Sequence, residues 1–248
     1  MSALPGTTGR RRIYLMRHGH VDYFGKEIQA AGGDTKVVPL TPLGQAQAEA
    51  AGKALSAVTF DRAICSGVPR TRQTAEFVLS AQDADRRPRL EVEESLVEIH
   101  GGSFGKVSSR GELAAKMAYH FDAAAEPGAR MLEGGELFAE AERRAVGAIR
   151  RLLAEPGWHT SLVVAHEGIN RLILGWSTGN GLKAVQSFEQ DPACINVIDF
   201  DMVPREDGSV GTEIARCLIK SVNVTPYNYT KHGMNMTSLE AIFAREPR

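Results

Sequence analysis

Cysteine is scarce in this chain: Cys65, Cys194 and Cys217 are the three among 248 residues, and none forms a CxxC pair. An odd count without paired spacing excludes a disulfide-stapled scaffold and a cysteine-rich zinc module, and it fits free thiols in a reducing, cytoplasmic compartment. Each cysteine lies in an apolar, strand-like run, so packing is its expected role. No apolar run approaches the ~20 residues of a membrane span, and no secretory hydrophobic segment follows the N-terminus. Neither charge dominates, with 29 Lys and Arg against 30 Asp and Glu. That balance gives no footprint for nucleic acid or an anionic membrane. What is present is a 43% hydrophobic composition, enough to fill a sizeable core without staples.

Residues 1–12 read as a disordered leader, with Arg10-Arg11-Arg12 as a solvated basic flank. Residues 13–248 read as a single domain with a tail from about residue 223. Strand and helix patterns alternate, which favours an α/β fold with a mostly parallel central sheet covered on both faces. The first strand is Ile13–Met16. Thr41-Pro42 opens a helix, since Thr caps and Pro suits the first helical position. Leu43, Ala46, Ala50 and Ala54 give that helix one apolar stripe. A second strand, Arg62–Cys65, turns at Ser66-Gly67 into a helix from about Arg70 to Leu79. A short extended piece, Arg89–Val92, leads to a loop carrying Glu98, and residues 112–125 read as a helix. Gly134–Glu155 is the longest helical pattern. Ser161–Ala165 is almost continuously apolar, as a central parallel strand should be, and a helix starts near Ile169. Cys194–Phe200 and Glu213–Val222 suggest an antiparallel hairpin around Asp207-Gly208. A short helix is expected near Ser238–Arg245.

Three strands end in chemically active residues. The first delivers Arg17 and His18, the second Ser66 and then Arg70, and Ser161–Ala165 delivers His166. Parallel strands bring such ends to one edge, where α/β proteins bind ligands. Arginine holds oxyanions with a planar fork of donors. Histidine attacks electrophiles or moves protons near neutral pH. Two guanidiniums and two imidazoles at one edge suit chemistry on a phosphate. Expelling an alkoxide from phosphorus needs a proton donor. Glu98, in the Gly-rich stretch Ser95-Leu-Val-Glu-Ile-His-Gly-Gly, is the candidate acid, although a loop carboxylate can equally be solvated.

In this order the motifs resemble those of the histidine phosphatase superfamily, the phosphoglycerate mutase-like group. Arg17-His18-Gly19 matches its signature. Ser66-Gly-Val-Pro-Arg70-Thr71-Arg-Gln-Thr-Ala75 matches its second block, Ser-x-x-x-Arg-Ala-x-Gln-Thr-Ala, apart from Thr71. Leu96-Val-Glu98-Ile99 with Gly102 and Phe104 resembles its acid-bearing loop, Glu133-Gly-Gly-Glu136 the start of its long helix, and Val163-Val-Ala-His166-Glu-Gly168 its second-histidine block. The resemblance covers Arg12 to about Val222. It implies a three-layer α/β/α sandwich and hydrolysis of phosphoric monoesters, with no metal and no cofactor. It makes His18 the nucleophile that forms a phosphohistidine, Arg17, Arg70 and His166 the holders of the phosphoryl oxygens, and Glu98 the acid. The implied partner is a small phosphorylated molecule. The exposed strand and tail segments also leave room for a homodimer.

The departures refine this reading. Gly19-His20-Val21-Asp22-Tyr23-Phe24 replaces the common Gly-Glu-Thr-x-x-Asn, so Phe24 stands where an Asn often touches phosphate. Glu167 stands where a small residue is common, either to orient a pocket arginine or to select cationic substrates. The run after Glu98 lacks the mutase pattern Asn-Glu-Arg-His-Tyr-Gly, which favours the phosphatase branch over a cofactor-dependent mutase. His20, Tyr23 and Glu167 are candidate substrate contacts, and Phe24, His100, Lys106, Arg110 and Asn170 lie beside them as rim candidates. His120, His159 and His232 read as solvated. Two other classes stay open. His18-x-His20-x-Asp22 has the spacing of a binuclear metallo-hydrolase, although Tyr23 replaces the histidine that usually follows. The pocket could also serve as a non-catalytic phosphate-binding module.

Overall fold

The computed structural model describes residues 9–23, 25, 34–102, 119–207 and 210–244. The strands are β1 (Arg10–Arg17), β2 (Arg62–Cys65), β3 (Leu90–Val92), β4 (Thr160–Ala165), β5 (Ile195–Pro204) and β6 (Val210–Val224). Among the described residues the α-helices are α1 (Pro42–Ala54), α2 (Pro69–Ser80), α3 (Phe138–Ala154), α4 (Glu167–Ser177) and α5 (Ser238–Ala244). One six-stranded sheet runs β3-β2-β4-β1-β5-β6. The first four strands are parallel, and β5 and β6 run antiparallel. The expected mostly parallel α/β fold is therefore the observed one.

Alternation along the strands builds two cores. On β4, Leu162 and Val164 join Met16, Cys65, Ala51, Val78 and Leu79 on the α1/α2 side. Val163 and Ala165 join Ile13, Leu15, Ile149, Leu153, Ile169 and Leu172 on the α3/α4 side. Both faces of β4 are thus covered, which is why it reads as an unbroken apolar run.

Several expectations are corrected. The strand takes in Arg10–Arg12, which are no solvated flank. Register places Arg12 opposite Asp199 and Arg10 opposite Asp201 on β5. Arg12 Nε lies 2.7 Å from Asp199, and Arg10 Nε 2.7 Å from Asp201. Arg11 points the other way, buried, its guanidinium 4.9 Å over the Trp158 ring. Opposite charges directly across an antiparallel pair stabilise it. Asp199 has no exposed side-chain surface, so replacing it removes both hydrogen bonds that fix Arg12 and leaves a void beneath the guanidinium. Asp199→Ala is expected to lower the unfolding free energy by ~1–3 kcal/mol, read as a fall in the urea midpoint. An unchanged midpoint would contradict the assigned role.

On α1 the stripe Leu43, Ala46, Ala50, Ala54 faces outward, with Leu43 49% exposed. The buried face is Gly44, Gln47, Ala48, Ala51 and Gly52. Helix α1 approaches its neighbours too closely for large side chains there. A Cβ on Gly44 would sit 2.1 Å from the His20 carbonyl oxygen, and one on Gly52 would sit 2.9 Å from that of Phe77. The cap itself is as expected, Thr41 Oγ1 accepting from Gly44 N at 3.1 Å. The long helix starts at Phe138 rather than Gly134. Glu133–Glu136 is instead a turn pressed against the Glu98 loop, where a Cβ on Gly135 would meet the Gly101 carbonyl oxygen at 2.4 Å. Most of the helix read over 112–125 falls outside the described residues, and 119–125 form turns.

Candidate active site

Register explains the convergence. Arg17 pairs with Ala165, and Cys65 with Val164. The residues that follow, His18, His166 and Ser66, therefore leave the sheet side by side. The backbone fixes this further: His18 N donates to Ala165 O, and Ala193 N to His18 O. Gly19 is required because a Cβ there would lie 2.4 Å from the Gly44 carbonyl oxygen. Its N–H donates to Thr74 Oγ1 of α2 at 3.0 Å.

The two imidazoles stand edge to face, with ring centroids 5.2 Å apart. Arg70, in the first turn of α2, bridges them. Its Nε is 3.3 Å from His18 Nε2 and its Nη2 3.5 Å from His166 Nδ1. A third donor, Nη1, holds the Thr35 carbonyl at 2.8 Å. His18 Nδ1 lies 2.8 Å from Gly19 O, and a carbonyl can only accept, so the proton is assigned to Nδ1. Nε2 then carries the lone pair. Hydrogen bonding likewise orders His166. Its Nε2 is 2.8 Å from Ser66 Oγ, which is 2.9 Å from Thr71 Oγ1, which donates to Val68 O at 3.0 Å. The carbonyl end sets the direction of the whole chain, so Nε2 is the protonated nitrogen. Thr71, the one departure in the second block, is a link in this chain.

Burial, then Arg70, His166 and Arg17, drive the His18 pKa well below the usual imidazole value. Burial, Arg70, Arg17 and Arg144 do the same to His166. Arg17 is buried, and its Nε has no hydrogen-bond partner among the described residues. Its Nη1 contacts the Gln190 carbonyl and lies 3.0 Å from Glu167 Oε2.

Glu98 reaches the same edge from its loop. Its Oε1 accepts from Ile99 N at 2.9 Å and its Oε2 from Gly168 N at 3.2 Å. Burial raises its pKa against the lowering by these bonds, and Glu167 and Arg17 pull in opposite directions. Gly168 leaves room for the carboxylate, since a Cβ there would meet Glu98 Oε1 at 2.7 Å. Arg144 of α3 staples the loop from below. It donates to the carbonyls of Ser95, Val97 and Glu98 and pairs with Glu136 at 2.7 Å.

The structure thus gathers Arg17, His18, Ser66, Arg70, Glu98, His166 and Glu167. Tyr23 borders them, its ring centroid 5.9 Å from the Arg70 guanidinium. Burial raises its phenol pKa. His20 is tied to the α1 cap, Nδ1 to Thr41 Oγ1 at 2.8 Å. Two expectations fail. Asn170 is fully buried beneath the site, donating to Gln190 Oε1 at 3.2 Å, and is no rim residue. His120 packs on Phe121 and Phe138, and burial lowers its pKa to about 4, so it is not solvated. Phe24, Lys106 and Arg110 lie outside the described residues. His18 and His20 turn to different partners, Gly19 O and Thr41 Oγ1, against the shared-metal reading of their spacing. No signal in the sequence pointed to Arg144, Arg171, Glu189 or Ser238.

The family model of the histidine phosphatase superfamily (branch 1) matches residues 13–204. The chain belongs to this superfamily. It is 28% identical over 201 residues to 2-carboxy-D-arabinitol-1-phosphatase of Triticum aestivum, covering 81% of this chain and 39% of that protein. The chain therefore spans well under half of the wheat relative. It is 28% identical over 191 residues to the adenosylcobalamin/alpha-ribazole phosphatase of Escherichia coli, covering 77% of this chain and 90% of that one. The solved mycobacterial glucosyl-3-phosphoglycerate phosphatase superposes with a TM-score of 0.66 at 20% identity, over 87% of this chain and 99% of that chain, and speaks for the phosphoglycerate mutase-like fold. The motif blocks read from the sequence, from Arg17-His18-Gly19 to the His166 block, lie inside the matched span.

Proposed function

We propose that this superfamily member hydrolyses small phosphoric monoesters through a phosphohistidine on His18, without a metal ion. One observation carries the reading: the unprotonated Nε2 of His18 lies against Arg70 Nε in a site where Arg17 offers a buried donor with no partner among the described residues. A neutral nucleophile between fixed cations suits attack on a phosphoryl group, whose transition state spreads charge over its equatorial oxygens.

In the first step His18 Nε2 bonds to phosphorus as the ester P–O bond breaks. Glu98 gives its proton to the departing oxygen. In the second, Glu98 as carboxylate takes a proton from water while the water oxygen bonds to phosphorus. The P–N bond then breaks, releasing orthophosphate and neutral His18. Arg17, Arg70 and His166 hold the oxygens throughout. A bound phosphoryl dianion offsets the guanidiniums that depress both imidazoles, so His166 can protonate at Nδ1 and donate to it. The three thiols are free, and Cys65 and Cys194 are buried, in keeping with the reading of a cytoplasmic enzyme. Dimer formation stays an expectation that sedimentation can check.

The test is a rapid quench after brief exposure to a phosphorylated substrate. Acid-labile, base-stable phosphate should appear on His18, in chelator-treated and untreated protein alike. Loss of turnover on chelation would overturn metal independence, and robust mutase turnover in a coupled assay would overturn the hydrolytic assignment.

A further inference from the structure

Glu167 is the carboxylate that the resemblance leaves without a role, and its surroundings are specific. It opens α4 and is 3% exposed. Both oxygens are engaged. Oε2 takes Arg17 Nη1 at 3.0 Å and the Ser238 hydroxyl at 2.7 Å. Oε1 takes Arg171 Nη2 at 2.9 Å. Arg171 Nη2 also meets Glu189 Oε2 at 3.1 Å, and Glu189 Oε1 accepts the Ser238 N–H at 3.0 Å. Glu167, Arg171, Glu189 and Ser238 thereby close a ring, and Arg17 hangs from its Glu167 corner. A carboxylate so occupied is not presented to a substrate, which disposes of cationic selection.

We infer that Glu167 is a positioning residue for Arg17, and that Ser238, at the head of α5, completes that role from the far end of the chain. The inference rests on the reading of Arg17 as a phosphoryl holder. A free arginine side chain samples many rotamers. Anchoring Nη1 on Glu167 and on the Gln190 carbonyl restrains that freedom before ligand arrives and leaves Nε for the phosphoryl group. Ser238 donates to the same oxygen that receives Arg17 and so fixes where that oxygen stands. Arg171 supplies a second cation, so the Glu167 carboxylate is shared between two guanidiniums. The C-terminal segment is itself pinned nearby. Lys231 Nζ holds Asp191 at 2.8 Å, and the Tyr227 hydroxyl donates to Pro192 O at 2.7 Å.

The experiment is a double-mutant cycle on the full chain with p-nitrophenyl phosphate as substrate and inorganic phosphate as competitive inhibitor. Ser238→Ala should lower kcat/KM and raise the phosphate inhibition constant by about 3- to 10-fold. In an Arg17→Lys background the same change should do nothing further, because there is no fork left to position. An equal factor in both backgrounds, or none in the wild-type background, overturns the inference. Should Arg17→Lys alone leave both constants unchanged, the reading of Arg17 fails and the inference falls with it. If Ser238→Ala lowers the melting temperature markedly, Glu167→Gln replaces it in the same cycle, under the same expectations.

Discussion

Replacing His18 by alanine is expected to abolish turnover while leaving an anion site behind. Removing one member of a tightly coupled catalytic unit costs about as much as removing the unit, so a loss of ~10³-fold or more in kcat is the scale. His18 is 2% exposed, and its Nε2 is the acceptor for Arg70 Nε. The variant therefore leaves one guanidinium donor open beside a small void. Inorganic phosphate can enter that space, beside Arg70 and His166, which both neighbour His18. The expected pair of results is undetectable hydrolysis together with phosphate binding within a few-fold of wild type, read by calorimetry. Both losing together would make His18 part of a phosphate cradle rather than the attacking group. Retained hydrolysis would remove the phosphohistidine altogether. A melting curve close to wild type ensures that the comparison is between folded proteins.

The place of His18 could be read from the sequence because the information is local. An apolar run ends in Arg17-His18-Gly19, and strand geometry alone says where those residues emerge. The same holds for Ser66 and His166, since each follows a short buried strand directly. Local reading failed where a side chain answers to something distant. Arg10–Arg12 look solvated until the register with Asp199 and Asp201 is known, and that register is set nearly two hundred residues later. The stripe on α1 differs from the buried face for another reason. Hydrophobicity favours Leu43, but the close crossing of α1 favours the smallest side chains, so Gly44 and Gly52 are the buried ones. Asn170 is a rim candidate in the sequence. It is instead fully buried and bonded to Gln190, a partner twenty residues further on. The role of Glu167 was the hardest to see. Its fate depends on Ser238, 71 positions away, and no periodic pattern links them. Thr71 stands out in the sequence as a departure, but its place in the chain from His166 to the Val68 carbonyl depends on partners that no local pattern marks.

Glu98→Gln should separate substrates by leaving group. General acid catalysis contributes typically 10²–10⁴-fold where the departing oxygen is basic. An alkyl phosphate should therefore slow by about that factor, whereas p-nitrophenyl phosphate, whose phenolate leaves without a proton, should change by less than about tenfold. Glutamine keeps the volume, and its carbonyl can still accept from Ile99 N or Gly168 N, so the loop held by Arg144 stays in place. The pH profile gives a second reading of the same residue. Burial raises the Glu98 pKa, so the protonated acid survives above the usual carboxylate range and is lost as pH rises through that raised value. His18 must be neutral to attack, and its lowered pKa keeps it so until well below the ordinary imidazole range. For alkyl phosphates kcat/KM should then fall on the basic side as Glu98 ionises and on the acid side as His18 protonates. The basic limb should be weak or missing for the aryl ester and should vanish in Glu98→Gln. An equal loss for both leaving groups, with an unaltered basic limb, would take the acid role away from Glu98 and return it to the part of a loop carboxylate that braces the head of α4.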